Sequence, residues 1–230
     1  MVAPTTPSAD YPANLSFDPP ETIARWRPLV QWFLAIPHYV VLYVLQIVGE
    51  VLAVVSWFVI LFTGRLPEGI ASFQAMVLRY SARVPAYAGF LQEEYPPFSF
   101  TSADADPGDY AHLRVDLEPE LEERNRLTTF FRLILAIPQI IVLSLVSIAA
   151  GVVTLISFFV VLFTGRWNDG MRNFVVGYLR WNLRVMAYMY LLTDKYPPFS
   201  LGGGTQGVGA PSAPTEPGWG AGAQPGASPA

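Results

Sequence analysis

The pentapeptide Leu-Phe-Thr-Gly-Arg at residues 61–65 occurs again, unchanged, at residues 162–166. The two occurrences lie 162 − 61 = 101 positions apart, and the sequence around them keeps this spacing. Residues 25–99 align with residues 126–200 without a gap, with 31 identities in 75 aligned positions. A shared apolar composition does not produce so many identities. The chain therefore contains one unit in two tandem copies.

Each copy begins with a long apolar run, over residues 29–63 and 133–164. The first run contains a single charge, Glu50, and the second contains none. Both runs exceed the ~20 residues that a membrane-crossing helix needs. Together with the overall composition, 52% hydrophobic and 14% charged, they predict an integral membrane protein. The alternative is a helical core buried in a soluble protein.

One straight helix of this length would measure ~50 Å, whereas the hydrocarbon core of a bilayer is ~30 Å thick. A helical hairpin of two short legs explains the length best, and a leg that re-enters on the same side is the alternative. The polar residues near the centre of each run mark the predicted turns: Gln46, Gly49 and Glu50 in the first copy, and Ser144, Ser147 and Gly151 in the second.

Arginines lie at both ends of each apolar run. They are Arg25, Arg27 and Arg65 in the first copy, and Arg124, Arg126, Arg132, Arg166 and Arg172 in the second. By the positive-inside rule both ends are cytoplasmic. This predicts a multi-pass plasma (cell) membrane protein with four spans, parallel copies and both termini in the cytoplasm. Three spans per copy, which would invert the second copy, is the alternative.

The predicted fold class is an all-α membrane protein of two tandem repeats, each a transmembrane helical hairpin followed by an amphipathic interfacial helix. Those helices cover residues 70–92 and 171–193. Short juxtamembrane strands are expected near Leu15 and Leu113, where apolar and polar residues alternate, and they could pair with each other. The predicted domains are a disordered N-terminus at 1–13, repeat 1 at 14–100, a linker at 101–111, repeat 2 at 112–201 and a disordered Gly/Pro-rich tail at 202–230.

The best candidate binding residues lie on the two predicted interfacial helices, one helical turn apart: Arg79, Arg83 and Tyr87, and in the second copy Arg180, Arg184 and Tyr188. Guanidinium groups at this spacing can bind lipid phosphates or the carboxylates of another membrane protein. The alternative role is orientation, in which the arginines hold the helix at the inner leaflet without a specific ligand.

A possible transport path is the second candidate site, formed by Pro37, His38, Glu50 and Pro138. Helix interruptions at matched positions of two repeats can mark a transport path, although kinks that assist packing are the simpler explanation. His38 has Gln139 as its counterpart, which favours a shared hydrogen bond to a carbonyl freed by proline over proton transfer. Glu50 is expected at the solvated turn of the hairpin, with ion-coupled transport as the alternative.

The sequence contains no constellation of an acid, a base and a nucleophile that would indicate an enzyme. It contains no cysteine, so disulfides and thiolate metal sites are excluded. We expect no catalytic residues, no metal and no cofactor. No basic surface indicates nucleic acid binding. Membrane lipids and another membrane protein remain as the expected partners, with the oligomeric state left open.

Four motifs occur twice in the same order: Ala-Ile-Pro, Leu-Phe-Thr-Gly-Arg, Leu-Arg-x3-Arg-Val-x-Ala-Tyr and Tyr-Pro-Pro-Phe-Ser. Over residues 13–201 the chain resembles domain of unknown function 4389, a family of uncharacterised bacterial membrane proteins. Where that family often has Tyr-Pro after Gly-Arg, this chain has Leu66-Pro67 and Trp167-Asn168. The resemblance implies no activity. The leading hypothesis is a non-enzymatic accessory or scaffold subunit that binds anionic lipid or a membrane partner through the arginine-bearing helices. A small transporter or channel between the repeats is the second hypothesis, and a lipid-directed enzyme is the third.

Overall fold

The structure is a computed structural model that describes residues 11–100, 106, 108, 110 and 112–202. The predicted disordered ends and most of the predicted linker lie outside these residues. Residues 11–13, which the sequence assigned to the disordered N-terminus, are ordered, because Tyr11 is buried and Ala13 begins a strand. The folded part of the chain therefore begins earlier than predicted.

The described residues form five helices and two strands. Each copy contains a strand, a long helical segment and a second helix, and the long segment of the first copy consists of two helices. The elements are β1 (Ala13–Phe17), α1 (Arg27–Leu34), α2 (Ile36–Thr63), α3 (Glu68–Ala88), β2 (Leu113–Leu117), α4 (Arg126–Thr164) and α5 (Asp169–Met189). The bounds of α3 and α5 differ by 169 − 68 = 101 positions, the spacing of the repeated sequence. Segments Arg27–Thr63 and Arg126–Thr164, of 37 and 39 residues, are long and apolar enough to cross a membrane.

The predicted helical hairpins are wrong. Helix α2 continues through Gly49 and Glu50, and α4 continues through the corresponding residues of the second copy. In α4 the Ser144 hydroxyl donates to the Ile140 carbonyl at 2.7 Å, so this polar side chain is satisfied within the helix and needs no turn. Gly49 serves a close contact, because a Cβ atom there would lie 2.9 Å from Tyr190 Oη. The central polar residues therefore lie within continuous helices, and the chain does not reverse direction at them.

The two prolines of the Ala-Ile-Pro motifs have different effects. In the first copy the helix is interrupted at Ala35, and Pro37 falls in the first turn of α2, where its missing N–H has no partner to lose. In the second copy Pro138 lies inside the continuous helix α4. Both long helices end alike, at Gly64 and Gly165, whose φ angles of 74° and 70° favour glycine.

The long helices of the two copies run in opposite directions beside each other. The start of the first copy's helix meets the end of α4, where Ile23 N–H donates to Gly165 O at 2.8 Å. The end of α2 meets the start of α4, where Arg124 N–H donates to Gly64 O at 3.0 Å. Each residue of one bond is 101 positions from its counterpart in the other. The copies are thus related by an approximate two-fold axis.

The same symmetry governs the two strands, which pair as an antiparallel ribbon. Leu15 lies opposite Val115 at the centre of the ribbon, and next to this pair Ser16 lies opposite Arg114 and Phe17 lies opposite Leu113. The predicted short strands and their pairing are confirmed. Helix α5 contacts β1, and α3 contacts β2, α2 and α5. Helices α3 and α5 therefore separate the ribbon from the pair of long helices.

The long helices bury one stripe and expose the opposite, apolar face along their whole length. Val40, Val51 and Phe62 on this face are 61%, 58% and 78% exposed. The buried positions of the two copies correspond one to one: Pro28, Gln31, Ala35, His38, Leu42, Gly49, Ser56 and Ile60 match Thr129, Arg132, Ala136, Gln139, Leu143, Ala150, Ser157 and Val161. Most recur at intervals of seven, which keeps one stripe against the neighbouring helices.

Candidate functional site: a groove between the two copies

The predicted interfacial helices are core helices. Of the 21 residues of α3, 13 are buried, and α5 is similar with 11 of 21. Their arginines are inside as well, since Arg79, Arg83, Arg180 and Arg184 are at most 8% exposed. The arginines of each helix lie on one face, as their spacing predicts, but that face is directed toward the interior of the protein. These side chains therefore do not form part of the outer surface that could contact lipid.

Arg83 is held by an acidic residue of the segment between the copies. Its Nη2 lies 2.9 Å from Asp106 Oδ1, and its guanidinium lies 5.5 Å from the centre of the Tyr110 ring. Asp106 also accepts a hydrogen bond from Val115 N–H at 2.9 Å. This arginine therefore fastens the linker and β2 onto α3.

The arginines of α5 are engaged by the N-terminal segment. Arg180 Nε donates to Leu15 O at 3.0 Å, and the Arg184 guanidinium lies 5.9 Å from the centre of the Tyr11 ring. Burial lowers the pKa of both guanidinium groups, and their mutual repulsion lowers that of Arg180 further. Both arginines fasten β1 to α5.

The tyrosines of the same motif pack against the Tyr-Pro-Pro-Phe segments. Tyr87 meets Tyr95 edge to face at 5.5 Å between ring centres, and Tyr188 meets Tyr196 in the same way at 5.8 Å. The Leu-Arg-x3-Arg-Val-x-Ala-Tyr and Tyr-Pro-Pro-Phe-Ser motifs therefore recur together because their tyrosines pack against each other in each copy. Each copy uses it to close its own fold.

His38 and Gln139 occupy equivalent positions, and each hydrogen-bonds an aromatic residue of the following core helix. Gln139 Nε2 also donates to Pro197 O at 2.5 Å, a carbonyl of the loop after α5, whereas the sequence predicted a carbonyl freed by proline. His38 Nδ1 lies 2.5 Å from Tyr80 Oη, and its ring stacks on Phe98 at 4.2 Å. Gln139 Oε1 accepts from Trp181 Nε1 at 2.9 Å. Tyr80 and Trp181 are themselves counterparts in the alignment. Each long helix is therefore tied to its following helix by one buried polar contact.

A second pair of equivalent contacts joins the start of each long helix to the loop after the second helix. In the second copy Arg132 Nη2 and Arg124 Nη2 lie 2.5 and 2.7 Å from Asp194 Oδ1. In the first copy the counterpart of Asp194 is Glu93, which is 3.8 Å from Arg27. Burial alone would raise the pKa of Asp194, but hydrogen bonds from Arg124 and Asn125 N–H and the two positive charges hold it below its usual value.

The sequence analysis did not identify Gln31, Arg132, Glu93 or Asp194 as structural partners. A usable signal existed, because Gln31 and Arg132 occupy the same position of the two copies, near the start of each apolar run. Gln31 Nε2 donates to Gln92 O and Arg132 Nη1 donates to Thr193 O, at 2.5 and 3.0 Å. A polar residue kept at a matched position of an apolar run indicates a buried hydrogen bond.

Two cavities lie beside the long helices, and they are the same cavity in two copies. Seven residues of the larger one correspond to seven of the smaller one: Ile140, Leu143, Ser144, Ser147, Tyr178, Asn182 and Met186 match Tyr39, Leu42, Tyr43, Gln46, Val77, Ser81 and Pro85. Their volumes are about 790 and 400 Å³. We refer to the larger cavity, enclosed by α2, α4 and α5, as the groove.

Glu50 is the carboxylate that lines the groove. It is exposed at the middle of α2 instead of at a turn, and it faces the same space as Trp57 and Tyr190. Burial raises the pKa of Tyr190 to about 12, and the Glu50 charge adds to this effect. The counterparts of Glu50 and Tyr190 are Gly151 and Gly89. Glu50 lines the groove and not the smaller cavity, whereas Tyr190 lines both.

The four residues of the predicted transport path are not assembled. Pro37 and Pro138 are on the exposed face of their helices, His38 is fully buried against Tyr80, and only Glu50 lines the groove. Over the described residues, no three His, Cys, Asp or Glu side chains are grouped so that they could hold a metal ion. The groove offers one carboxylate, neutral polar groups, aromatic rings and the buried Arg132, which is paired with Asp194, and this set is suited to binding.

The profile of a family described as a domain of unknown function (DUF4389) matches residues 25–99 and again residues 126–200. No curated protein and no solved structure matches the chain. The two matched segments are the ones that the structure relates by its two-fold axis, and they include both long helices and both core helices. The chain belongs to the family of domain of unknown function 4389 and carries two tandem copies of its domain.

Proposed function

We propose that this protein is a non-enzymatic accessory or scaffold protein that lies in the inner leaflet of the plasma membrane. The observation that carries the proposal is the unbroken apolar face of the long helices. Trp32, Val40, Val51 and Phe62 are four of its many exposed members. Water would disfavour so large an apolar surface on a soluble monomer, whereas the acyl chains of a bilayer would accept it.

The long helices lie in the membrane plane and do not cross it. At 37 and 39 residues they extend ~55 Å, far more than the ~30 Å of hydrocarbon. Their buried stripe reaches from Pro28 to Ile60, so the core helices accompany them over the whole length. A perpendicular orientation would carry the core helices and part of the ribbon into the hydrocarbon. An in-plane orientation leaves them on the cytoplasmic side.

Four exposed arginines at the ends of the apolar face bind anionic lipid in this proposal, in place of the buried arginines of the core helices. Arg25 and Arg166 are at one end, and Arg65 and Arg126 are at the other. A Cβ atom on Gly64 would lie 3.5 Å from Arg126 Nε, and one on Gly165 would lie 3.7 Å from Arg25 Nε. Over the described residues, none of the four forms an ion pair.

The in-plane orientation keeps the predicted side of the membrane and changes the number of spans. Both ends of each long helix are on the same side of the membrane, as the arginines at both flanks require. The two copies have the same orientation relative to the membrane, because the two-fold axis that relates them lies along the membrane normal. The proposal replaces four spans by none. The membrane-facing helices and the cytoplasmic ribbon then present a surface on which another membrane protein can assemble.

The orientation can be tested by measuring depth along one helix, because the chain has no cysteine of its own. Single-cysteine variants Val40→Cys, Val51→Cys and Phe62→Cys carry a fluorophore, and lipids labelled at different depths quench it. An in-plane helix places all three labels at similar, shallow depth. Depth that changes steadily along the helix, or a deep maximum at residue 51, would contradict the proposal.

The role of the end arginines can be tested by flotation with vesicles. Replacing Arg25, Arg65, Arg126 and Arg166 by Gln should abolish the preference for vesicles that contain phosphatidylglycerol over pure phosphatidylcholine, since each arginine near an anionic surface contributes ~1 kcal/mol. Arg114→Gln, on the opposite layer, is the matched control. An unchanged preference in the fourfold variant would exclude these arginines as the lipid contact.

A further inference from the structure

We infer that the groove binds a single-chain amphiphile with a cationic amine head, with the Glu50 carboxylate as its counter-ion. This goes beyond the proposed membrane association and rests on it in one respect, that the ligand reaches the groove from the bilayer. The groove occupies about 790 Å³, within the range of small-molecule sites.

The groove is larger than the other cavity because two of its lining residues are smaller than the tyrosines at the equivalent positions of the first copy. Ile140 and Ser144 line the groove, whereas Tyr39 and Tyr43 occupy the equivalent positions of the smaller cavity. The lining is otherwise mainly apolar, with Ala53, Val54, Leu143 and Val185 among its residues. A hydrocarbon chain fits such a surface, and the groove offers about twice the volume of the smaller cavity.

The charge in the groove determines the sign of the ligand. Glu50 is exposed, and in the described part of the chain no basic side chain forms an ion pair with it. The basic residue that also lines the groove, Arg132, is 2% exposed and is occupied by Asp194 and two carbonyl oxygens. A carboxylate within an apolar face is energetically unfavourable unless a cation accompanies it. An amine head supplies that cation.

Aromatic and neutral polar groups complete the surroundings of the head. Trp57, Tyr178 and Tyr190 line the groove together with Glu50, and the faces of such rings attract an ammonium group. Gln46 and Asn182 offer amide oxygens as acceptors for its N–H groups. An anionic head would meet the Glu50 charge without a free basic group to offset it.

The ligand class can be tested with the full chain in uncharged maltoside micelles, where binding does not depend on how the protein lies in a bilayer. The probes are brominated dodecylamine and brominated dodecanol, which quench the fluorescence of Trp57. We expect saturable quenching that Trp57→Phe removes, and half-saturation at about tenfold lower concentration for the amine. Glu50→Gln should bring the two probes within twofold of each other.

Two further variants make each outcome decisive. Ser144→Tyr copies the smaller cavity and should remove saturable quenching by both probes, whereas Glu122→Gln, an exposed acid outside the groove, should change neither. Equal half-saturation of amine and alcohol in the wild type, a preference that survives Glu50→Gln, or equal binding of dodecyl phosphate would overturn the inference. So would cross-links showing a second copy of the chain in the groove. Failure here would leave the flotation and depth results unaffected, so the two proposals fail separately.

Discussion

The two copies share one backbone plan and differ in what they enclose. In the first copy Tyr39 and Tyr43 narrow the cavity, and a glycine follows α3 at position 89. In the second copy the cavity is about twice as large, and Tyr190 at the equivalent of Gly89 reaches across to α2. Six of the seven matched cavity positions differ between the copies, whereas the paired arginines and the tyrosines of the core-helix motif are identical. Duplication thus maintained a scaffold while one of its two cavities became a candidate binding site.

The largest expected difference between the copies concerns the acid after each core helix. Asp194→Asn should lower the free energy of unfolding by ~3–5 kcal/mol, because Arg132 would remain buried without its counter-charge. Glu93→Gln should cost no more than ~1 kcal/mol, since Glu93 and Arg27 are partly exposed and 3.8 Å apart. Unfolding of both variants in the same micelles checks this. Equal losses would show that the two contacts are equivalent.

The pH dependence of unfolding offers a related test with a defined sign. The pKa of Asp194 is lowered in the folded protein, so its contribution is present above the pKa of the unfolded state, ~4, and is lost as the pH falls through the folded value. Wild type should therefore lose stability faster than Asp194→Asn when the pH is lowered from 5 to 2. Parallel stability curves would contradict this role of Asp194.

A smaller effect is expected where α2 and Tyr190 meet. Gly49→Ala places a Cβ atom 2.9 Å from Tyr190 Oη and close to its ring, which must shift, so the variant should lose ~1–3 kcal/mol of unfolding free energy. The matched control is Ala150→Gly in the other copy, which should lose ~1–2 kcal/mol through lower helix propensity and the loss of one buried methyl group. Thermal unfolding of both variants measures the difference. A stabilised Gly49→Ala would show that the close contact is not maintained.

The smallest effect is expected from exchanging the equivalent polar residues. His38→Gln copies the second copy and keeps a hydrogen-bonding group near Tyr80, so it should lose only ~1 kcal/mol. His38→Ala leaves the Tyr80 hydroxyl without this partner and should lose more. If His38→Gln and His38→Ala were equally damaging, stacking on Phe98 would be the main role of the imidazole.

The duplication and the paired strands followed from local sequence. Comparing the copies also indicated that His38 and Gln139 have one role, although not with which partners. The hairpin prediction failed because Gln46, Glu50 and Ser144 were interpreted as turn residues. A helix tolerates such residues when a hydroxyl bonds to its own preceding turn or a side chain opens into a groove. The sequence around such a residue does not show whether it lies at a turn or within a continuous helix.

The arginine helices illustrate the same limit. Their spacing placed Arg79 and Arg83 on one face, but the direction of that face depends on the ribbon and on Asp106, which lies far away in sequence. Local periodicity identifies a stripe and cannot say whether lipid, water or another segment covers it. In this chain other segments cover it, whereas Arg25, Arg65, Arg126 and Arg166 at the ends of the long helices are exposed.

By itself, the sequence determined that the chain is one apolar, helical unit present twice, because repetition and hydropathy are properties of local order along the chain. Only the tertiary structure decided that each long run is a continuous helix, that the paired arginines are internal, and that one copy encloses a groove with Glu50. These features depend on contacts between residues far apart in sequence, such as Gly49 with Tyr190 and Arg180 with Leu15. Packing between the copies selects them, and neither copy contains that information alone.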